Sequence, residues 1–242
     1  MDSTVLITGS SCGIGRETAR LFAAEGFNTV INCRRSSEAL TALAEELEEF
    51  GVRILPIVSD VSEPVQVSRM FEIMSENHML PDIIINNAGI SHIGLLQDMN
   101  FEEWNDVIGT NLSSVFNVCK CAIPHMLSAG GGRIINISSM WGNTGASCEV
   151  AYSASKGGVN AFTKALAKEL APSRIQVNAV AFGAVDTRMN SFLSQDELAT
   201  LINEIPSGRL CTAEEAASII YRLAFVSEYV TGQIFTADGG LT

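Results

Sequence analysis

The sequence predicts a doubly wound α/β domain, a parallel sheet of about seven strands with helices on both faces. Three observations predict it. Short apolar runs alternate with helical patterns along the whole chain. A glycine-rich turn follows the first of those runs. Gly13, Arg34, Asp60, Asn87, Ser139 and Gly183 each follow a strand-like run, and ligands gather at the carboxyl ends of strands in such sheets.

The expected strands lie at 5–8, 29–32, 54–58, 83–86, 134–137, 176–181 and 234–236. Alternation with helices implies parallel pairing and burial of both sheet faces. The first run (Val5, Leu6, Ile7) enters a turn containing Gly9, Gly13 and Gly15, then a helical pattern through Glu25. The second ends in Cys33-Arg34-Arg35-Ser36. Ser62-Glu63-Pro64 offers a helix cap with proline in the first turn. Asn100-Phe101-Glu102-Glu103 resembles a capping box with Asn in the leading place, and Thr212-Ala213-Glu214-Glu215 fits one directly. Residues 152–168 read as a helix, and 187–208 as the longest insertion between a strand and the next helix. Leu198, Leu201, Ile202 and Ile205, with Phe192 and Leu193, give that insertion apolar positions at roughly helical spacing. No repeat, linker or low-complexity tract divides the chain, so residues 1–242 are expected to form one domain.

Composition narrows the function. At 242 residues and 47% hydrophobic, the chain suits one large domain with a sizeable core. Fifteen basic against 27 acidic residues give a net charge of −12, which makes nucleic acid a poor partner. The run Glu45-Glu46-Leu47-Glu48-Glu49 suits a solvated helix face. The apolar stretches are too short to span a bilayer and no signal-like run opens the chain, so a soluble cytoplasmic protein is expected. Cys12, Cys33, Cys119, Cys121, Cys148 and Cys211 lack zinc-like spacing, and an extended backbone would point Cys119 and Cys121 to opposite faces. With only three scattered histidines, no metal site is expected.

Two constellations carry chemistry. Strand, glycine turn and helix at 4–20 let backbone N–H groups approach a pyrophosphate at the positive end of a helix. The spacing Gly-x3-Gly-x-Gly also suits an ordinary tight turn. After the second strand, the place where an acidic residue would read a ribose 2′-hydroxyl holds Cys33, followed by Arg34 and Arg35. An arginine there pairs with a 2′-phosphate and favours NADP over NAD; the alternative is two solvated loop charges. Further on, Tyr152 and Lys156 stand one helical turn apart, thirteen residues after Ser139. A phenol is a poor acid–base catalyst at its ordinary pKa, and a fixed ammonium within reach is expected to lower it. Ser139 would hydrogen-bond a substrate oxygen while Tyr152 gives or takes its proton.

Together these segments resemble the short-chain dehydrogenase/reductase family, over nearly the whole chain. Thr8-Gly9-Ser10-Ser11-Cys12-Gly13-Ile14-Gly15 resembles its cofactor turn, Asp60-Val61 its adenine contact, and Asn86-Asn87-Ala88-Gly89 its signature after the fourth strand. Asn111 matches its helical Asn and completes a tetrad with Ser139, Tyr152 and Lys156. The resemblance implies a Rossmann domain that binds NADP(H) through Gly9, Ser11, Gly13, Ile14, Gly15, Arg34, Arg35, Asp60, Val61, Asn87, Ala88, Gly89, Tyr152, Lys156, Gly183, Val185 and Thr187. It implies that Tyr152 donates the proton in reduction and Ser139 orients the carbonyl. Lys156 would lower the phenol pKa and bind the nicotinamide ribose, and Asn111 would steady a water. Thr187 would contact the nicotinamide amide, and segment 187–208 would cover the substrate; the alternative is that its apolar residues pack on the domain or on a neighbouring subunit. One departure stands out: Ala181-Phe182-Gly183 replaces the usual Pro-Gly, so Phe182 either stacks near the cofactor or packs.

Within the family the chain is most similar to bacterial 3-oxoacyl-acyl-carrier-protein reductases, by Gly208-Arg209-Leu210, Tyr229-Val230-Thr231-Gly232-Gln233 and Asp238-Gly239-Gly240. Met140 and Trp141 are candidates for the pocket wall. An acidic carrier would need a basic entrance, for which Arg133, Arg174, Arg188 and Arg209 are the candidates, against the strongly negative net charge. The expected activity is reduction of a 3-oxoacyl thioester, the partner an acyl carrier protein, and the assembly a homotetramer. A dehydrogenase of a small alcohol, sugar or steroid is the competing enzyme reading. A non-catalytic NADP-binding protein is the remaining one.

Overall fold

Period-two alternation in the apolar runs sends side chains to both faces of a sheet, and the computed structural model shows where they go. It describes residues 3–190 and 194–242. The strands are β1 (Thr4–Ile7), β2 (Asn28–Cys33), β3 (Ile54–Val58), β4 (Ile83–Asn86), β5 (Gly132–Ser139), β6 (Ile175–Phe182) and β7 (Ile234–Ala237). Among the described residues they form one seven-stranded sheet in the order β3-β2-β1-β4-β5-β6-β7, parallel at every pairing. The order reverses between β1 and β4, which opens a crevice outside their carboxyl ends.

Val5 and Ile7 of β1, Ile83 and Ile85 of β4, and Ile135 and Ile137 of β5 point to one face. There they pack under α1 (Gly13–Ala24), α2 (Ser37–Glu48) and α9 (Ala213–Ala224). Leu6, Ile84 and Ile134 point to the other, under α3 (Pro64–Glu76), α5 (Ser114–Ala129) and α7 (Val150–Leu170). Each such side chain, fully buried, contributes roughly 1.5–3 kcal/mol relative to exposure. The remaining α-helices among the described residues are α4 (Phe101–Ile108), the single turn α6 (Trp141–Thr144) and α8 (Gln195–Glu204). Among the described residues no helix is long and apolar enough to cross a membrane.

The capping boxes at Asn100 and Thr212 form as expected, with both reciprocal hydrogen bonds present. The proposed cap at Ser62 does not. Glu63 occupies that position without a side-chain bond, because the Ser62 hydroxyl donates instead to Asp60 Oδ1 at 2.7 Å. Cys119 and Cys121 lie on helix α5, where Cys119 is buried and Cys121 partly exposed. Within 187–208, α8 starts at its own capping box, Ser194 with Glu197, and none of its residues is fully buried. Phe192 and Leu193 lie outside the described residues.

Candidate active site

The first β-strand ends at Ile7, and the next eight residues are fixed by what packs against them. Gly9 holds φ at +65°, and a Cβ there would meet Ala88 Cα at 2.8 Å. A Cβ on Gly15 would strike the Gly9 carbonyl oxygen and reach Asn87 Nδ2 at 2.5 Å. Only glycine fits at either place. Asn87 donates through Nδ2 to the carbonyls of Thr8 and Gly9, both at 3.0 Å. Thr8 Oγ1 accepts from the N–H groups of Asn87 and Ala88, also at 3.0 Å. Asn87 and Ala88 therefore knit the end of β4 to the turn after β1.

That turn opens α1 with Cys12 extended, no side-chain cap and no acidic residue in the first turn. The unpaired N–H groups and the positive end of the dipole are left for an anion, so the residues present fit a dinucleotide pyrophosphate. Gly13, with φ +55°, brings Thr187 Cγ2 within 3.3 Å of where its Cβ would be. Ser11 stands partly exposed at the turn, while Ile14 packs into the core. Ser10 was not singled out from sequence. Wholly buried, it accepts from Asn32 N–H at 2.8 Å and ties the turn to β2.

At the adenosine end, Arg34 Nη1 donates to Asp106 Oδ1 at 3.0 Å, and its Nε lies 3.9 Å from Asp60 Oδ2. Arg35 is exposed, and Val61 is a core side chain. Asp60 is pinned by its Ser62 bonds, and by donation of its N–H to Gln66 Oε1 at 2.8 Å.

Ser139 is the last residue of β5, and Tyr152 and Lys156 lie one turn apart on α7; all three are buried. The Ser139 hydroxyl accepts the Trp141 N–H at 3.2 Å. Burial pushes the phenol up to about 12, with Ser139 pulling it down and Glu149 adding to the rise. Burial also pulls Lys156 down to about 8. Lys156 is not among the groups that shift the phenol here. Lys156 Nζ donates to the Ile137 carbonyl at 2.7 Å and stands 5.7 Å from the Tyr152 ring centroid. Desolvation is the largest cause of both shifts.

Asn111 lies in a π-helical turn, Gly109–Ser113, that joins α4 to α5. Such turns recur at functional sites, and nothing in the sequence signalled this one. Its Oδ1 accepts Ile90 N–H at 2.8 Å, while Nδ2 donates to Ile90 O at 2.8 Å and Ser155 Oγ at 3.0 Å. Ser155 Oγ in turn donates to the Tyr152 carbonyl at 2.7 Å. Gly89 sits between them: a Cβ there would lie 3.4 Å from Asn111 Oδ1 and 3.5 Å from Lys156 Nζ.

Phe182 packs. It is 3% exposed within the core under α9, and its carbonyl accepts the Met140 N–H at 2.9 Å. Gly183 lies against Asp238, whose Cα a Cβ would meet at 2.7 Å, and Val185 is buried in the same core. Met140 is buried and Trp141 partly exposed beside Ser139. The four arginines do not form one entrance patch. Arg133 and Arg174 lie at the amino ends of β5 and β6, a sheet's length from Ser139. Arg209 is held by Glu215 at 2.6 and 2.7 Å.

The family profile of short chain dehydrogenases matches residues 3–198. The chain belongs to that family. It is therefore an oxidoreductase that uses a nicotinamide cofactor. Its relatives include the 3-oxoacyl-acyl-carrier-protein reductase FabG of Thermotoga maritima, 42% identical over 98% of this chain and 96% of that protein. They also include the uncharacterized oxidoreductase YmfI of Bacillus subtilis, 38% identical over 99% of each chain. A short-chain type dehydrogenase/reductase from Mycobacterium marinum superposes with a TM-score of 0.92 at 36% identity, covering 99% of this chain and 95% of that one. These short-chain dehydrogenases are spanned almost end to end, so the whole chain carries the family fold.

Proposed function

We propose that the protein is an NADPH-dependent reductase of 3-oxoacyl thioesters. The observation that carries the reading is the buried cluster of Ser139, Tyr152 and Lys156 beside a glycine turn fit for a pyrophosphate. A phenol with its pKa near 12 is protonated at neutral pH, the state a proton donor needs. The cofactor, bound with its pyrophosphate on α1, supplies hydride; the protein supplies orientation and electrostatics. Gly9, Ser11, Gly13, Ile14, Gly15, Asp60, Val61, Asn87, Ala88, Gly89, Gly183, Val185 and Thr187 line the proposed cofactor path, with Arg34 and Arg35 at its 2′-phosphate end.

Ser139 Oγ donates to the substrate carbonyl oxygen while Tyr152 hands its proton to the same atom. The charge then left on the Tyr152 oxygen is stabilised by the nearby Lys156 ammonium, 5.7 Å from the ring centroid. Asn111 has its side chain engaged by Ile90 and Ser155, so it acts by holding Gly89 and α7 around Lys156.

The thioester class rests on relatives named 3-oxoacyl-acyl-carrier-protein reductases; an acyl carrier protein as partner, a cytoplasmic location and a homotetramer follow from the same resemblance. The test is NADPH consumption with an acetoacetyl thioester, beside NADH and beside a free ketone of the same size. Thioester turnover with NADPH supports the reading. Activity confined to the free ketone selects a small-molecule dehydrogenase instead. A stable, active monomer in sedimentation would refute the tetramer.

A further inference from the structure

We propose that Asp106 tunes cofactor choice by competing with a 2′-phosphate for the Arg34 guanidinium. The inference rests on the reading of Arg34 as the 2′-phosphate residue. Arg34 and Asp106 are 72 residues apart, so their 3.0 Å bond is no local helix pairing; it bridges the end of β2 to the last turn of α4. Asp60, the other carboxylate facing Arg34, is held in place by Ser62, whose N–H and hydroxyl both donate to Oδ1, and its Oδ2 stays 3.9 Å from the Arg34 Nε. Asp106 differs. It lies on the last turn of α4 next to the buried Val107, while its side chain is 53% exposed.

One guanidinium thus faces two carboxylates. A phosphate arriving at the ribose 2′ position, carrying up to two negative charges, must take Arg34 from Asp106 and then lie beside that carboxylate. A 2′-hydroxyl meets neither demand. Asp106 therefore narrows the preference that Arg34 creates, and removing its charge widens it. An exposed pair of this kind is worth a few tenths of a kcal/mol to about 1 kcal/mol, so the expected change is about two- to fivefold.

The fragments 2′,5′-ADP and 5′-AMP read this without turnover. Their affinities are measured by calorimetry for the natural protein, Asp106→Asn, Arg34→Ala and the double variant. Asp106→Asn is expected to tighten 2′,5′-ADP about two- to fivefold, leave 5′-AMP unchanged, and have no effect when Arg34 is already Ala. An equal melting temperature shows that the fold is intact. If Asp106→Asn weakens 2′,5′-ADP or leaves it unchanged while the natural protein prefers that fragment, the inference falls and the NADP reading stands. If the natural protein shows no preference but Asp106→Asn acquires one that needs Arg34, the NADP reading falls and the inference stands.

Discussion

The two ends of the ligand crevice are built from different materials. At the β1–β2 end the site is backbone: glycines that admit no Cβ, an uncapped helix start and a mesh of bonds from Thr8, Ser10 and Asn87. At the β5–α7 end it is side chain: a phenol, an ammonium and a hydroxyl withdrawn from water, with pKa values moved by burial. The first kind of site is set by shape and tolerates no added atom. The second is set by electrostatics and responds to pH.

The comparison breaks first at Tyr152. Tyr152→Phe is expected to lower thioester-dependent NADPH oxidation about 10³-fold while NADPH affinity, read by fluorescence, stays within about twofold. Next comes Lys156. Its folded pKa of about 8 lies below its ordinary 10.5, so between those values the unfolded chain holds a proton that the folded one has lost. Stability from this group is therefore present above pH 10.5 and lost as pH falls through 8. The difference in unfolding free energy between the natural protein and Lys156→Met is expected to grow, in favour of the former, by on the order of 3 kcal/mol across that window. Urea titrations at several pH values measure it, and a flat difference would place Lys156 in water. At the other end, Gly15→Ala is expected to weaken dinucleotide binding at least about tenfold, with no pH dependence, because the added methyl displaces the Gly9 carbonyl. Smallest is Thr212→Ala, one residue past the bridge between Cys211 and Val185, which removes a capping box from α9. It should cost about 1 kcal/mol in thermal unfolding and leave turnover unchanged.

The backbone end was the more legible in the sequence. Glycine spacing, strand periodicity and the capping boxes at Asn100 and Thr212 are local signals, and local signals survive the passage from chain to fold. Ser62 misled because its hydroxyl has a nearer acceptor in Asp60, a choice made by the turn and not by the helix it precedes. The π turn at Asn111 left no mark, since it depends on Ile90 and Ser155 arriving from distant segments. Asp106 was silent for the same reason. For Tyr152 and Lys156 the residues were legible and their electrostatics were not. Spacing places an ammonium one turn from a phenol, but only the packed structure shows it spent on the Ile137 carbonyl with both groups buried.

The most direct test of that last point is an ultraviolet difference titration of the phenol, natural protein against Tyr152→Phe, without cofactor. If burial governs, the phenol that the variant lacks ionises near pH 12. Ionisation below the ordinary value of 10 would mean that Lys156 controls it after all, and would contradict the account.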